Sequence, residues 1–227
     1  KQRCLKNKLV ITNDGSHSIF NPKINECYHS QHGAIVEAEH VFIKNGFSAI
    51  NKAEITILEV GFGTGLNALL TYQKATHKSI KVNYHAIEAY PVKKENYKKL
   101  NFTDLIGLEK EQLLLLHNCI WEQKNEISSY FSLVKNKTTL EKYNSNIKFD
   151  IIYFDAFSPE KQPELWSKII FNKMHTLLKK DGFLVTYCAK GSVKRTMKTV
   201  GFEVIALDGP PGKRQMTRGN KISKVIK

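Results

Sequence analysis

Glu59-Val60-Gly61-Phe62-Gly63-Thr64-Gly65 decides how this chain reads. Ahead of it, Ile55-Thr56-Ile57-Leu58 has the character of a short strand. Behind it, Leu66, Leu69, Leu70 and Tyr72 fall on a helical apolar stripe. The glycines therefore lie at a strand-to-helix turn, where backbone approaches a ligand closely and the first N–H groups of the helix stay free. Their spacing is GxGxG, not the GxGxxG of dinucleotide sites, and an acid, Glu59, precedes them. A carboxylate there suits the cationic methionine moiety of S-adenosylmethionine and repels a pyrophosphate. A tight glycine turn with no ligand is the plain alternative.

Working outward, Lys81 to Ile87 reads as a second strand, ending in Glu88, and Pro91 suits the first turn of a helix through about Leu100. An acid at the carboxyl end of a strand lies where open α/β sheets bind ligands, so Glu88 reads as a ribose holder or as a cap on that helix. Residues 104 to 128 read as helical in part. Phe131 to Val134 is a strand, and Lys135-Asn136-Lys137 a polar bend in which Asn136 either meets an adenine edge or only turns the chain. The densest β signal, Phe149 to Phe154, ends in Asp155. Ala156-Phe157-Ser158-Pro159 must leave that strand, because Pro159 cannot continue a ladder. Asp155 is thus a candidate at the acceptor site, or a helix cap.

Pro163 to Leu178 reads as a helix broken by Lys180-Asp181-Gly182, and Phe183 to Tyr187 as a strand. Lys190 to Val200 is a basic amphipathic helix, Gly201 its stop, and Phe202 to Leu207 a further strand. The loop Gly209 to Arg218 carries two prolines and three cations, either as solvated surface or as a phosphate clamp. Near the start, Lys8 to Thr12 and Ile19-Phe20 are strand candidates about an Asp14-Gly15 turn. Tyr28, His29, His32, Glu37 and His40 crowd the following segment, without the spacing of a zincin site. They read as polar faces or substrate contacts, and no metal is expected.

The 227 residues, 41% hydrophobic, suffice for one sizeable core. Cys4, Cys27, Cys119 and Cys188 form no CxxC pair, which points away from zinc and disulfides and toward a reducing cytoplasm. No run approaches membrane-spanning length. The formal charge of +14, from 35 Lys plus Arg against 21 Asp plus Glu, favours a polyanionic partner, although a lysine-biased proteome yields the same excess. Residues 1–50 are expected to form an N-terminal extension contributing to the substrate cleft, and 51–227 a Rossmann-like domain.

Together, Asp14-Gly15-Ser16, Tyr28 to Ala34, His40-Val41-Phe42, Glu59 to Leu70, Asp155 to Pro159, Trp166 and Gly209 to Met216 resemble the methyltransferase portion of the bifunctional tRNA 5-methylaminomethyl-2-thiouridine biosynthesis family and its stand-alone relatives. The resemblance covers nearly the whole chain. It implies an α/β class I S-adenosylmethionine-dependent methyltransferase fold, a mostly parallel sheet with helices on both faces. It also implies N-methylation of 5-aminomethyl-2-thiouridine at the tRNA wobble position.

On that resemblance Glu59, Gly61, Phe62, Gly63, Thr64, Gly65, Asn67, Glu88, Asn136 and Asp155 hold the cofactor, and Asp155 is catalytic at the acceptor amine. Tyr28, His29, Glu37, Phe157, Pro159, Lys190, Arg195, Lys213, Arg214 and Arg218 meet the substrate, the cations holding the anticodon-stem backbone. Family members often carry an acid at Asn136 and some a Glu at Gln215. With no second dinucleotide fingerprint, no FAD is expected, and a separate enzyme is expected to supply the aminomethyl intermediate; the oligomeric state is left open. With an ordinary Asp pKa near 4, Asp155 is expected to orient the amine rather than act as a strong base. The rivals are a methyltransferase for another RNA base, a protein or a small amine; a silent RNA-binding module; and a Rossmann dehydrogenase.

Overall fold

The computed structural model describes residues 6–222, so Cys4 lies outside the described residues. The chain begins with an antiparallel sheet of β1 (Lys8–Ile11), β2 (His17–Asn21) and β3 (Glu26–Cys27). Asp14 fastens its first turn: the carboxylate accepts from Thr12 Oγ1, Ser16 N and Ser16 Oγ, and reaches Val36 N at 3.0 Å. Val36 belongs to α1 (Ala34–Ala38), which runs on as a π-helical turn over Glu39–Lys44 and a short 3₁₀ turn over Phe47–Ala49.

The main sheet comprises β4 (Glu54–Val60), β5 (Lys81–Ile87), β6 (Lys124–Ser128), β7 (Phe131–Asn136), β8 (Phe149–Phe154), β9 (Leu178–Thr186), β10 (Glu203–Asp208) and β11 (Gln215–Asn220). Their order is β10-β11-β9-β8-β4-β5-β7-β6. The five central strands are parallel, and the outer pairings of β6, β10 and β11 are antiparallel. From β4 the chain steps outward to β5 and β7, then returns to β8 on the other side of β4. That reversal opens a crevice at the carboxyl ends of β4, β5 and β8.

The central strands are buried on both faces, as an all-parallel core requires; every residue of β8 is buried. One face packs under α2 (Leu66–Lys78), α4 (Phe102–Ile106) and α5 (Lys110–Asn118), through residues such as Leu69, Tyr84, Phe102 and Leu116. The other packs under α6 (Lys168–Leu177) and α7 (Gly191–Thr199), through Phe154, Trp166, Phe171 and Met197. Asp150 in β8, its side chain 1% exposed, is held by Lys52 at 2.6 Å, Lys179 at 2.7 Å and Thr56 N at 2.8 Å.

Three local expectations are corrected. No helix starts at Pro91: Glu88 takes the Tyr90 N–H, the chain bends, and α3 (Lys94–Tyr97) begins after an extended Lys93. The helix expected over 163–178 is split, because Ser167 is extended and caps α6 with its Oγ after a 3₁₀ turn at Pro163–Trp166. Lys180-Asp181-Gly182 lies inside β9 as an irregularity, with Asp181 at φ 61° and a register shift against β8. The 104–128 segment is helical in part, as expected, through α4 and α5, and ends in β6, which pairs with β7 through a tight hairpin.

Cys27, Cys119 and Cys188 are unpaired. Among the described residues no group of three or more His, Cys, Asp or Glu is placed to hold a metal, and no helix is long and apolar enough to cross a membrane.

Candidate active site

Three strand ends meet at the crevice, and backbone bonds lock them together. Gly61 N and Phe62 N donate to Ile87 O, and Asp155 N donates to Val60 O at 3.1 Å. Gly61, at φ 90°, is required here: a Cβ would stand 2.7 Å from the Asp155 carbonyl oxygen. At Gly63 a Cβ would press on the Tyr28 ring at 3.1 Å. Gly65 is the left-handed cap of α2 and no side chain caps the helix, which leaves its first-turn N–H groups to an anionic ligand.

Glu88 bridges the glycine turn and the loop after β5, accepting from Gly63 N at 2.8 Å and Tyr90 N at 2.7 Å. Burial raises its pKa, and those backbone donors oppose the rise. Glu59 is 1% exposed, and neither carboxylate oxygen has a hydrogen-bond partner among the described residues. Burial first, then the charge of Asp155, pushes its pKa well above the usual range. Glu59 does not line the cavity; it stands behind it, near Asn67 and Tyr84.

Asp155 is the central acid. Asn67 Nδ2 donates to its Oδ2 at 2.8 Å, leaving Oδ1 for a ligand. Burial pushes its pKa up to about 7; the Asn67 bond opposes this, the Glu37 charge adds to it and the Lys213 charge subtracts. The carboxyl is therefore not the ordinary one expected near 4: desolvation moves it toward neutral pH.

The cavity over these groups measures about 1400 Å³, room for a nucleoside-sized cofactor and a second nucleoside. Seven acids line it (Glu26, Glu37, Glu88, Glu95, Glu141, Asp155 and Glu164) against five lysines. The local balance is therefore acidic in a chain whose formal charge is +14. An acidic cleft with a free helix N-terminus fits S-adenosyl-L-methionine, which carries a sulfonium, an ammonium and a carboxylate.

Tyr28, His29, Glu37 and Phe157 all line the cavity. Tyr28 and Phe157 meet edge to face at 5.1 Å as an aromatic wall, and burial followed by Glu88 pushes the Tyr28 hydroxyl up to about 12. His29 is held between Ser18 Oγ at 3.1 Å and Thr64 Oγ1 at 3.0 Å, and desolvation takes its pKa down to about 4. It therefore braces the glycine turn as a neutral ring.

The expected cationic clamp is divided. Lys213 turns inward, its Nζ 2.5 Å from Glu37 Oε2 and 4.3 Å over the Tyr187 ring. Arg218 lies inside β11, stacked on Phe183 and bonded to Asn220 Oδ1, so it is separated from the loop and does not line the cleft. Lys190 pairs with Glu160, Arg195 sits exposed on α7, and Arg214 and Pro159 line a neighbouring pocket. Asn136 ends β7 rather than turning freely; its Nδ2 donates to Ala86 O, and it does not line the cavity.

Several contributors escaped the sequence reading. Glu26 accepts from Ser158 N and Oγ, pinning the Asp155 loop to the N-terminal sheet. Tyr187 donates from its hydroxyl to Ala156 O; its place just past a strand on the same sheet edge was the available signal. Behind the glycine turn, fully buried Lys135 donates to His117 O while lying 4.5 Å over Trp121, and His117 Nε2 contacts Thr64 O at 2.9 Å.

Residues 120–222 match the model of a family described as S-adenosyl-L-methionine-dependent methyltransferase. The chain is similar to the tRNA 5-methylaminomethyl-2-thiouridine biosynthesis bifunctional protein MnmC of Cupriavidus metallidurans, 30% identical over 225 residues, covering 92% of this chain and 33% of that protein. It is also similar to the protein of the same name from Burkholderia thailandensis, 27% identical, covering 93% and 34%. The chain thus spans about a third of the length of these curated relatives. The crystal structure of MNMC2 from Aquifex aeolicus aligns with a TM-score of 0.77 at 25% identity, covering 97% of this chain and 72% of that one.

Proposed function

We propose that this chain, an S-adenosyl-L-methionine-dependent methyltransferase homologous to the methyltransferase part of MnmC, N-methylates 5-aminomethyl-2-thiouridine at the tRNA wobble position. The observation that carries the reading is Asp155: a desolvated carboxyl with a pKa of about 7 on the floor of an acid-lined cleft, in a strongly basic protein. A primary alkylammonium matches the cleft, and the polyanion that bears it matches the rest of the surface.

When bound, the cofactor supplies an electrophilic methyl group on a sulfonium. The first helical turn of α2 would hold its carboxylate end and Glu88 its ribose hydroxyls. Asp155 Oδ1 takes one proton from the incoming ammonium and so exposes the nitrogen lone pair. Asn67 keeps the carboxylate from rotating, which preserves an in-line approach. After transfer the nitrogen is a secondary ammonium, and Glu37, whose charge acts on Asp155, stabilises it. Tyr28 and Phe157 wall the uracil ring, since RNA loops present unstacked bases to aromatic side chains. The aminomethyl group is supplied by an activity outside these 227 residues.

Incubating the protein with labelled cofactor and hypomodified tRNA, then identifying the labelled nucleoside by mass spectrometry, tests the reading. Label in 5-methylaminomethyl-2-thiouridine is the expected result. Label only in another base, a protein or a free amine would replace the proposed acceptor, and binding of tRNA without transfer would replace the catalytic role.

A further inference from the structure

A second pocket, of about 620 Å³, opens beside the main cleft at the carboxyl end of β9. Its floor is apolar, made by Pro159, Tyr187, Cys188 and Ala189; Lys190, Lys213 and Arg214 stand around it. Tyr187 and Lys213 line both this pocket and the cleft, so the two spaces share one wall. The loop that carries Lys213 and Arg214 is firmly seated: Gly212, at φ 82°, packs against the His32 ring, and His40 Nε2 contacts Asp208 O at 2.8 Å. Gln215 at the edge is fixed by Lys194 at 2.9 Å.

We propose that this pocket receives the nucleotide adjoining the methylated one on the same RNA strand, its base against the Pro159–Tyr187–Ala189 floor and its phosphate at Arg214. The inference rests on the RNA reading above and extends it to a second nucleotide. A floor without hydrogen-bonding demands accepts any base by its face. The surrounding cations are not equivalent. Lys190 is engaged by Glu160 and Lys213 by Glu37, whereas exposed Arg214 has no acidic partner among the described residues. Its guanidinium is the group available for bidentate contact with a phosphate. A small amine acceptor would leave both floor and rim without a ligand.

The test uses a stem-loop RNA bearing the aminomethylated uridine, versions of it abasic at either flanking position, and the free aminomethylated nucleoside. With the wild-type protein, one of the two abasic RNAs should show a KM raised roughly tenfold, the contribution of one stacked base, with kcat little changed. Ala189→Trp, which fills the floor, should raise KM for the intact RNA similarly, abolish the difference between intact and abasic RNA, and leave the free nucleoside unaffected. Arg214→Ala should raise KM for all the RNAs. If neither abasic RNA differs from the intact one by more than about twofold with the wild-type protein, or if the abasic penalty persists in Ala189→Trp, the pocket does not hold a base. Transfer to no RNA at all, but to a peptide or small amine, would instead overturn the underlying RNA reading, a separate outcome.

Discussion

If Asp155 accepts the ammonium proton, its titration must appear in the rate, and its neighbours must move that titration in opposite directions. The reacting species is the neutral amine beside an ionised carboxylate, so kcat/KM should fall on the acid side as Asp155 is protonated and level off on the alkaline side, where the amine already carries its lone pair. With the carboxyl at about 7, its ionised fraction falls from about nine-tenths at pH 8 to about one-tenth at pH 6, roughly a tenfold loss of rate. The positive charge of bound cofactor moves the limb lower. Lys213→Ala removes a cation that favours the carboxylate, so the acid limb should move to higher pH and activity at pH 6.5 fall several-fold. Glu37→Gln removes a like charge and releases Lys213 from its 2.5 Å pairing, so the limb should move to lower pH. Asp155→Asn should lose about a hundredfold or more in kcat and lose the acid limb. A radiolabel transfer assay from pH 5.5 to 9.5 on the four proteins reads all of this. Limbs that shift the same way in both neighbour variants, or an acid limb that survives in Asp155→Asn, would refute the reasoning.

Gly61→Ala forces a Cβ to within 2.7 Å of the Asp155 carbonyl at a φ of 90°; thermal melts should show a loss of about 2 kcal/mol, with weakened cofactor binding by calorimetry, and an unchanged melt would mean the turn has room to relax. Asp150→Asn strips two lysines and the Thr56 N–H of their shared acceptor; because both lysines are partly exposed, the expected urea-unfolding loss is about 1–3 kcal/mol, and no loss would show the triad to be solvated. His29 titrates at about 4 when folded, below its ordinary 6.5, so the unfolded chain binds the extra proton and stability falls as pH drops from 6.5 toward 4. His29→Gln should therefore be less stable than the wild type at pH 7 but lose part of that deficit at pH 4.5; a constant gap would contradict a neutral, desolvated ring.

The glycine turn, the acids at Glu88 and Asp155 and the central strands themselves were readable along the chain because each is a short-range pattern: an apolar strand, its abrupt end, and a glycine or acid on the next residue. Once the α/β alternation is recognised, parallel pairing brings such ends to one edge of the sheet without knowledge of any side-chain contact. The split of the Pro163 helix and the bend before Lys94 were not legible, because Ser167 and Glu88 divert backbone N–H groups that propensity assigns to a helix.

Proton affinity and pairing lay further out of reach. Asp155 is an ordinary aspartate in the chain; its proton affinity rises because desolvation just past β8 disfavours the charge and Glu37 of α1 adds to that, against the opposing grip of Asn67 of α2 on one oxygen. Lys213 is one of several cations in a loop until folding brings Glu37 and Tyr187 beneath it. Local chemistry thus decided which residues stand at the crevice, whereas their charge depends on desolvation and on neighbours remote in sequence, quantities that come into being when the layers close.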